Sequence, residues 1–348
     1  MSTQVLECGG VVTYQILCGR EIATKDRFAT QMANYCYLVV NTLDKTAIAI
    51  DAAWDVQGLY DLASELGVKI VGCVYTHFHF DHCGGDVHPM FTGGQKVNLP
   101  GAKEVEAAGG KIWAGKEDAE EIKKQCHLDE VVPMRDGDVL PCGDLVLHII
   151  RTPGHTPGSI CVFAAPRSLS PRVEMGKSPF KEAGLLITGD TLFVGSCGRT
   201  DLPGSDPRDM MSSLARLSTM DPAVVVCPGH NYAMEPFSTI GAERAQNEMV
   251  KMGLSHFPKP LPVPPCAMCG TGLPCGPKGF RIGRKARIVK LTSEQGQAIN
   301  GQDCVIESYM EDRERYAVRM INASAVKVLK PENLEKPEKD ATEAPEAT

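Results

Sequence analysis

Three of the chain's nine histidines fall within six residues, in Thr76-His77-Phe78-His79-Phe80-Asp81-His82. In extended backbone, alternate residues point the same way, so His77 and His79 can present two imidazoles to one metal ion. Asp81 and His82 follow as the chain turns and can reach a second ion. Gly84 and Gly85 permit the tight turn or close backbone approach this needs. Three more residues of ligand type come later: His155 in TPGHTPG, Asp190 in TGDT and His230 in PGH, each directly after a glycine. Imidazole and carboxylate suit zinc, iron or manganese. Five histidines and two aspartates exceed one tetrahedral zinc and suit two divalent ions sharing a carboxylate, so Asp81 and Asp190 are the candidate catalytic carboxylates. Such a pair can hold a hydroxide formed near pH ~7 and polarise a carbonyl oxygen.

A lone histidine is more often structural, and His88, His127, His148 and His256 are read that way. The cluster is different. Packing does not explain a His-x-His-x-Asp-His run, because it crowds polar groups that all need partners.

The elements around these residues are those that place sites in α/β enzymes. Tyr35–Asn41 and Thr46–Asp51 are short, apolar, β-branched runs about a turn, a pair of buried strands. Asp55–Glu65 carries apolar residues at helical spacing. Lys69–Tyr75 is a strand that runs straight into the histidine cluster. Residues 86–112, rich in glycine and polar side chains, are expected to form a loop over the site. Glu117–Cys126 and Pro207–Leu217 read as helices, the second with proline at its start. Asp144–Ile150, Ile160–Ala164, Leu185–Thr188 and Ala223–Cys227 read as strands. The later ligands therefore sit at strand ends, where loops carry function. Arg167–Ala183 reads as a surface excursion.

Bulk properties fit an enzyme of this kind. At 348 residues there is room for one full domain and a small module. Hydrophobic residues make up 43%, and net charge is −7 with a pI near 5.8, which argues against a nucleic-acid binder. No apolar run reaches membrane-spanning length, and Met1–Gly10 lacks the pattern of a signal or transit peptide. The fourteen cysteines are irregularly spaced, so they read as free thiols in a reducing, cytoplasmic compartment.

THFHFDH, TPGHTPG, the Gly189-Asp190 pair and Pro228-Gly229-His230, in that order, resemble the metallo-β-lactamase superfamily. GDTLFVGSCGRTDLPG at 189–204 and STIGAERAQN at 238–247 look like its glyoxalase II-like (hydroxyacylglutathione hydrolase-like) branch. The likeness covers about residues 30–250. It implies an α/β fold, the four-layer αββα sandwich, with ligands at one edge between two sheets. It further implies one metal on His77, His79 and His155, a second on Asp81, His82 and His230, and Asp190 bridging.

That branch hydrolyses thioesters such as S-2-hydroxyacylglutathione. The expected partner is a small-molecule thioester or glutathione-type substrate, and the expected cofactor two divalent ions, zinc first, with iron or manganese as alternatives. A thiol leaving group, pKa near ~8.5, needs little acid help, and no separate general acid stands out. By the same likeness Arg199 contacts the glutathione part and Tyr232 lies near the substrate. The chain departs from the branch in two places. The helical C-terminal domain that supplies basic residues is missing, and Asp201 stands where a tyrosine is expected. Sulfur (persulfide) dioxygenases are the rival. They share the fold, the histidine run and a loop similar to Cys197–Asp201, and hold one iron on residues matching His77, His155 and Asp190. A third possibility is an interaction protein with a vestigial site, against which the complete ligand set speaks.

The composition changes after the enzyme-like part. The reading is a catalytic domain over 1–256, a Pro/Cys-rich linker over 257–278, a small β module over 279–330 and a disordered tail over 331–348. Strands are expected at 303–308 and 315–321, and the module resembles an SH3-like barrel. Cys266, Cys269 and Cys275 suggest zinc but lack a fourth ligand at a known spacing. Arg281, Arg284, Lys285 and Arg287 form a basic patch that could dock a protein partner or another copy of the chain.

Overall fold

The computed structural model describes residues 3–8, 11–142, 145–166, 184–258, 260, 280, 285–310, 315–321 and 326–335. The chain forms two compact units, Met1–Pro264 and Pro265–Thr348.

The first unit opens with strands β1 (Gln4–Cys8) and β2 (Val11–Leu17), helix α1 (Arg27–Met32) and strands β3 (Tyr35–Asn41) and β4 (Thr46–Ile50). Helix α2 (Val56–Glu65), strand β5 (Lys69–Tyr75) and the short helix α3 (Phe80–Cys83) follow. Next come the hairpin β6 (Gly85–Val87) and β7 (Val97–Leu99), α4 (Ala102–Ala107), β8 (Lys111–Gly115), α5 (Ala119–Gln125) and β9 (Val132–Met134). The first sheet has the order β1-β2-β3-β4-β5-β8-β9.

The second half contains β10 (Val139–Cys142), β11 (Leu145–Arg151), β12 (Ile160–Pro166) and β13 (Leu185–Gly189). The small pair β14 (Leu192–Phe193) and β15 (Ser196–Cys197), α6 (Pro207–Leu217), β16 (Val225–Pro228), β17 (Ser238–Thr239), α7 (Ile240–Gln246) and α8 (Glu248–His256) complete it. The second sheet has the order β10-β11-β12-β13-β16-β17.

Three apolar layers hold the sandwich together. Leu38, Leu59, Val105 and Ile122 fill the space between the first sheet and its helices. Tyr37, Val39 and Ile48 meet Leu147, Ile149 and Val162 between the sheets. Ile150 and Phe163 meet Met210, Leu214 and Val250 under α6 and α8. This is the expected αββα architecture. Every residue of β3 is buried, as a strand covered on both faces requires. Asp206 caps α6 through the amides of Arg208 and Asp209.

Residues 86–112 are not the expected loop. They hold β6, β7, α4 and the start of β8, which lies between β5 and β9. Each piece is too short to show a clear period in sequence, and glycines at 93, 94, 109 and 110 hide the boundaries.

His148 is the one histidine among the four taken as structural that is buried. It is 2% exposed, packs at 5.9 Å from the Phe163 ring, and neither ring nitrogen has a hydrogen-bond partner among the described residues. Burial pushes its pKa down to about 4. A group depressed on folding contributes no penalty above its unfolded value near ~6.5. It costs stability as pH falls from there through about 4, by about 3 kcal/mol at the limit. His148→Leu should therefore be more stable than wild type. Denaturant melts should show the difference widening from pH ~6.5 to ~4, and a constant difference would contradict this.

The second unit is a five-stranded antiparallel sheet of order β21-β20-β19-β18-β22. Its strands are β18 (Lys285–Ile288), β19 (Asp303–Met310), β20 (Arg315–Met320), β21 (Val326–Leu329) and β22 (Leu334–Glu335), with helix α9 (Glu294–Gln297) after β18. Ala286, Ile288, Cys304, Ile306, Tyr316 and Val318 form its core. The tail assigned from 331 starts too early. Pro331–Asn333 is a helical turn and Leu334 pairs with Ile288, burying its side chain in the core. One leucine suffices to anchor this end, and composition averaged over 331–348 conceals it. In the basic patch, Arg287 donates to Asp303 at 3.0 Å. Cys266, Cys269, Cys275, Arg281, Arg284, the 167–183 segment and most of the proline-rich linker lie outside the described residues.

Candidate metal centre

Every ligand-type residue singled out in the sequence follows a strand. His77–His82 leave β5, His155 follows β11, Asp190 follows β13 and His230 follows β16. Two glycines let the loops close together. Gly189 has φ +47°, and a Cβ there would lie 2.5 Å from Thr76 Oγ1; a Cβ on Gly229 would lie 2.5 Å from Asp190 Oδ1.

The seven side chains converge. Donor atoms of His77, His79 and His155 lie within 4.8 Å of one another, as do those of His77, His82 and Asp190, and those of Asp81, His82 and His230. Asp190 reaches both ends, with Oδ1 3.2 Å from His82 Nε2 and Oδ2 3.3 Å from His230 Nε2 and 3.5 Å from His155 Nε2.

The outer ring nitrogens are held, which aims the inner ones. His230 Nδ1 donates to the Met32 carbonyl at 2.7 Å and His155 Nδ1 to the Arg199 carbonyl at 2.8 Å. His82 Nδ1 donates to Asp51 Oδ2 at 2.9 Å. Asp51 also accepts from the Thr76 amide and hydroxyl, both at 2.7 Å, so the hydroxyl oxygen is left to accept from His77 Nδ1 at 3.0 Å. These bonds fix tautomers with lone pairs turned inward. His77 Nε2 is then buried with no hydrogen-bond partner among the described residues, as is Asp190 Oδ1. An orphaned buried imidazole nitrogen aimed at a carboxylate is costly unless a cation sits there, so the donor set fits a metal.

The electrostatics agree. Burial, then His82 and His79, hold His77 well below the usual histidine pKa, and burial with His155 lowers His79 to about 4. Burial alone would also lower His82, but Asp190 and Asp81 outweigh it and raise it. Asp190 is held well below the carboxylate range by His230 and His82, against the effect of burial. Neutral His77 and His79 beside ionised carboxylates are ready for a divalent cation, whereas His82 and His230, whose proton affinity those carboxylates raise, would release protons as the cation binds.

The two expected substrate contacts differ. Tyr232 stacks on the His230 ring at 4.5 Å and 10°, half-exposed, at the edge of the cluster. Arg199 lies on the surface and forms a two-bond pair with Asp201 at 2.9 and 2.8 Å.

Sequence reasoning missed three residues. Asp51 appeared only as the end of a strand, although an acid closing the apolar run TAIAID is itself a signal. Asn34 donates to Asp81 Oδ2 at 2.9 Å. Asp118 precedes α5 but its carboxylate does not cap it. Instead it accepts from the Phe78 amide at 3.1 Å, the Gly158 amide at 2.7 Å and the Thr156 hydroxyl at 2.6 Å. It thus ties the His77–His79 turn to the His155 loop. Asp118→Ala would strand three donors and should cost about 2–4 kcal/mol. Thermal unfolding checks this, and an unchanged midpoint would contradict it.

The Metallo-beta-lactamase superfamily model matches residues 29–168 and 180–230. A probable polyketide biosynthesis zinc-dependent hydrolase, BaeB of Bacillus velezensis, is 27% identical over 205 residues, covering 59% of this chain and 76% of its own. The cytoplasmic isozyme of hydroxyacylglutathione hydrolase from Saccharomyces cerevisiae is 27% identical over 243 residues, covering 67% and 78%. A metallo-beta-lactamase structure from Staphylococcus aureus superposes with a TM-score of 0.52 at 22% identity, over 73% of this chain and 69% of that one.

Proposed function

Because the chain belongs to the metallo-beta-lactamase superfamily, as a metal-dependent hydrolase, we propose that it hydrolyses thioesters of the S-2-hydroxyacylglutathione type on a two-ion centre, zinc first. His77, His79 and His155 would hold one ion and Asp81, His82 and His230 the other, with Asp190 shared. The observation that carries this reading is the position of Asp190, whose two oxygens face histidines of both triads. Bound divalent ions would supply an ionised water at neutral pH and a counter-charge for the carbonyl oxygen.

The chain's own residues then have distinct roles. Asp51 and the Met32 and Arg199 carbonyls hold the imidazoles in register. Asp81 and Asp190 supply negative charge that keeps the cations in place. No protonated acid is needed for a thiolate leaving group, and none of the described residues near the cluster is assigned that part. The likeness to the yeast hydroxyacylglutathione hydrolase supports the substrate class. The test is turnover of S-lactoylglutathione by the zinc-loaded protein. Absence of turnover together with oxygen uptake on glutathione persulfide by an iron-loaded form would replace the hydrolase with the dioxygenase.

Arg199 would meet the glutathione carboxylates only after leaving Asp201. An exposed pair of this kind is weak and easily opened, because solvent screens both charges. Asp201→Asn should therefore lower KM for S-lactoylglutathione by up to about fivefold, and Arg199→Ala should raise it. If neither variant moves KM, Arg199 has no part in binding.

A further inference from the structure

Asn34 sits between α1 and β3, 2% exposed. Its Nδ2 lies 2.9 Å from Asp81 Oδ2, 3.2 Å from His82 Nε2 and 3.5 Å from His230 Nε2. Those three atoms are themselves 3.1–3.4 Å apart. A single amide nitrogen thus faces all three donors of one candidate metal position and none of His77, His79 or His155.

An amide can usually flip to offer oxygen to a cation. Here it is prevented. Asn34 Oδ1 accepts from the Trp54 indole N–H at 3.1 Å. Indole is a donor only, so a flipped amide would set donor against donor. The Asn34 backbone cannot withdraw either. Its carbonyl accepts from the Cys18 amide at 2.9 Å, and it bridges to His230. Trp54 is buried against Phe28, with its backbone at φ +71°. That conformation is costly for a bulky side chain and persists only where the surroundings impose it. Its amide is tied to the Pro100 carbonyl at 3.0 Å. The indole is therefore a fixed reference that points the N–H2 of Asn34 at the metal donors.

Amide hydrogens and a cation compete for the same lone pairs. We propose that Asn34, oriented by Trp54, makes the two metal positions unequal by weakening the one built from Asp81, His82 and His230. This rests on the two-ion reading above. The first ion binds tightly to the three histidines that Asn34 does not touch. The second enters only by displacing, or enduring, an N–H donor.

The experiment is a zinc titration of the metal-stripped full chain against a chromophoric chelator, comparing wild type, Asn34→Asp and Trp54→Phe. Aspartate keeps the shape of asparagine and the acceptor for the indole, but offers a carboxylate oxygen to the cation. Phenylalanine keeps a ring against Phe28 and releases the amide to flip. Wild type should show two unequal steps. Asn34→Asp should tighten the second by about tenfold or more, Trp54→Phe by less, and neither should move the first. Two equal steps in wild type would overturn the proposal. So would a second step that either variant leaves unchanged or weakens. A protein that takes up no zinc in any form would instead sink the metal reading itself.

Discussion

Asp190→Asn should lower kcat/KM for the thioester by about a thousandfold or more. The carboxylate lies within 3.5 Å of three histidine nitrogens drawn from both triads. Asparagine keeps its shape but removes the charge and turns an N–H toward imidazoles that need lone pairs free. Charge stabilisation at such a centre is worth several kcal/mol, and each ~1.36 kcal/mol is tenfold in rate. Some stability should be lost as well, since His82 and His230 lose the buried carboxylate that they pair with. Steady-state kinetics with a thermal melt of the metal-stripped protein separates the two effects. Near-normal turnover would mean that no shared carboxylate is needed.

Asp51→Ala should act without touching substrate. One buried carboxylate fixes His82 directly and His77 through Thr76. Its loss frees both rings to turn or change tautomer, which typically costs ten- to a hundredfold in metal affinity. It also strands the Thr76 amide, adding about 1–3 kcal/mol of instability. Zinc affinity should therefore fall at the position using His82 and at the one using His77. A loss confined to stability, with unchanged affinity, would make Asp51 purely structural.

Much of this was legible in the sequence. The strands Tyr35–Asn41 and Lys69–Tyr75 and the helix Pro207–Leu217 stand at the residues read for them, because each is long enough for its apolar pattern to speak. The ligand-type residues are recognisable because imidazoles crowded at strand ends have no packing explanation. What was not legible depends on contacts across the fold. Asn34, Asp51 and Asp118 each work on residues distant in sequence: Asn34 on Asp81, Asp51 on His82 and Asp118 on Gly158. Nothing local marks Asn34 or Asp118, and Asp51 is marked only by closing the apolar run TAIAID. The short elements within 86–112 and the anchoring of Leu334 are likewise decided by tertiary packing.

Metal content, by elemental analysis of the zinc-reconstituted protein set beside its turnover of S-lactoylglutathione, tests the central claim most directly. The account predicts close to two zinc ions per chain at saturation and thioester hydrolysis that falls as zinc is stripped. Full hydrolysis by the stripped protein would contradict it, as would saturation at a single ion with no thioester turnover.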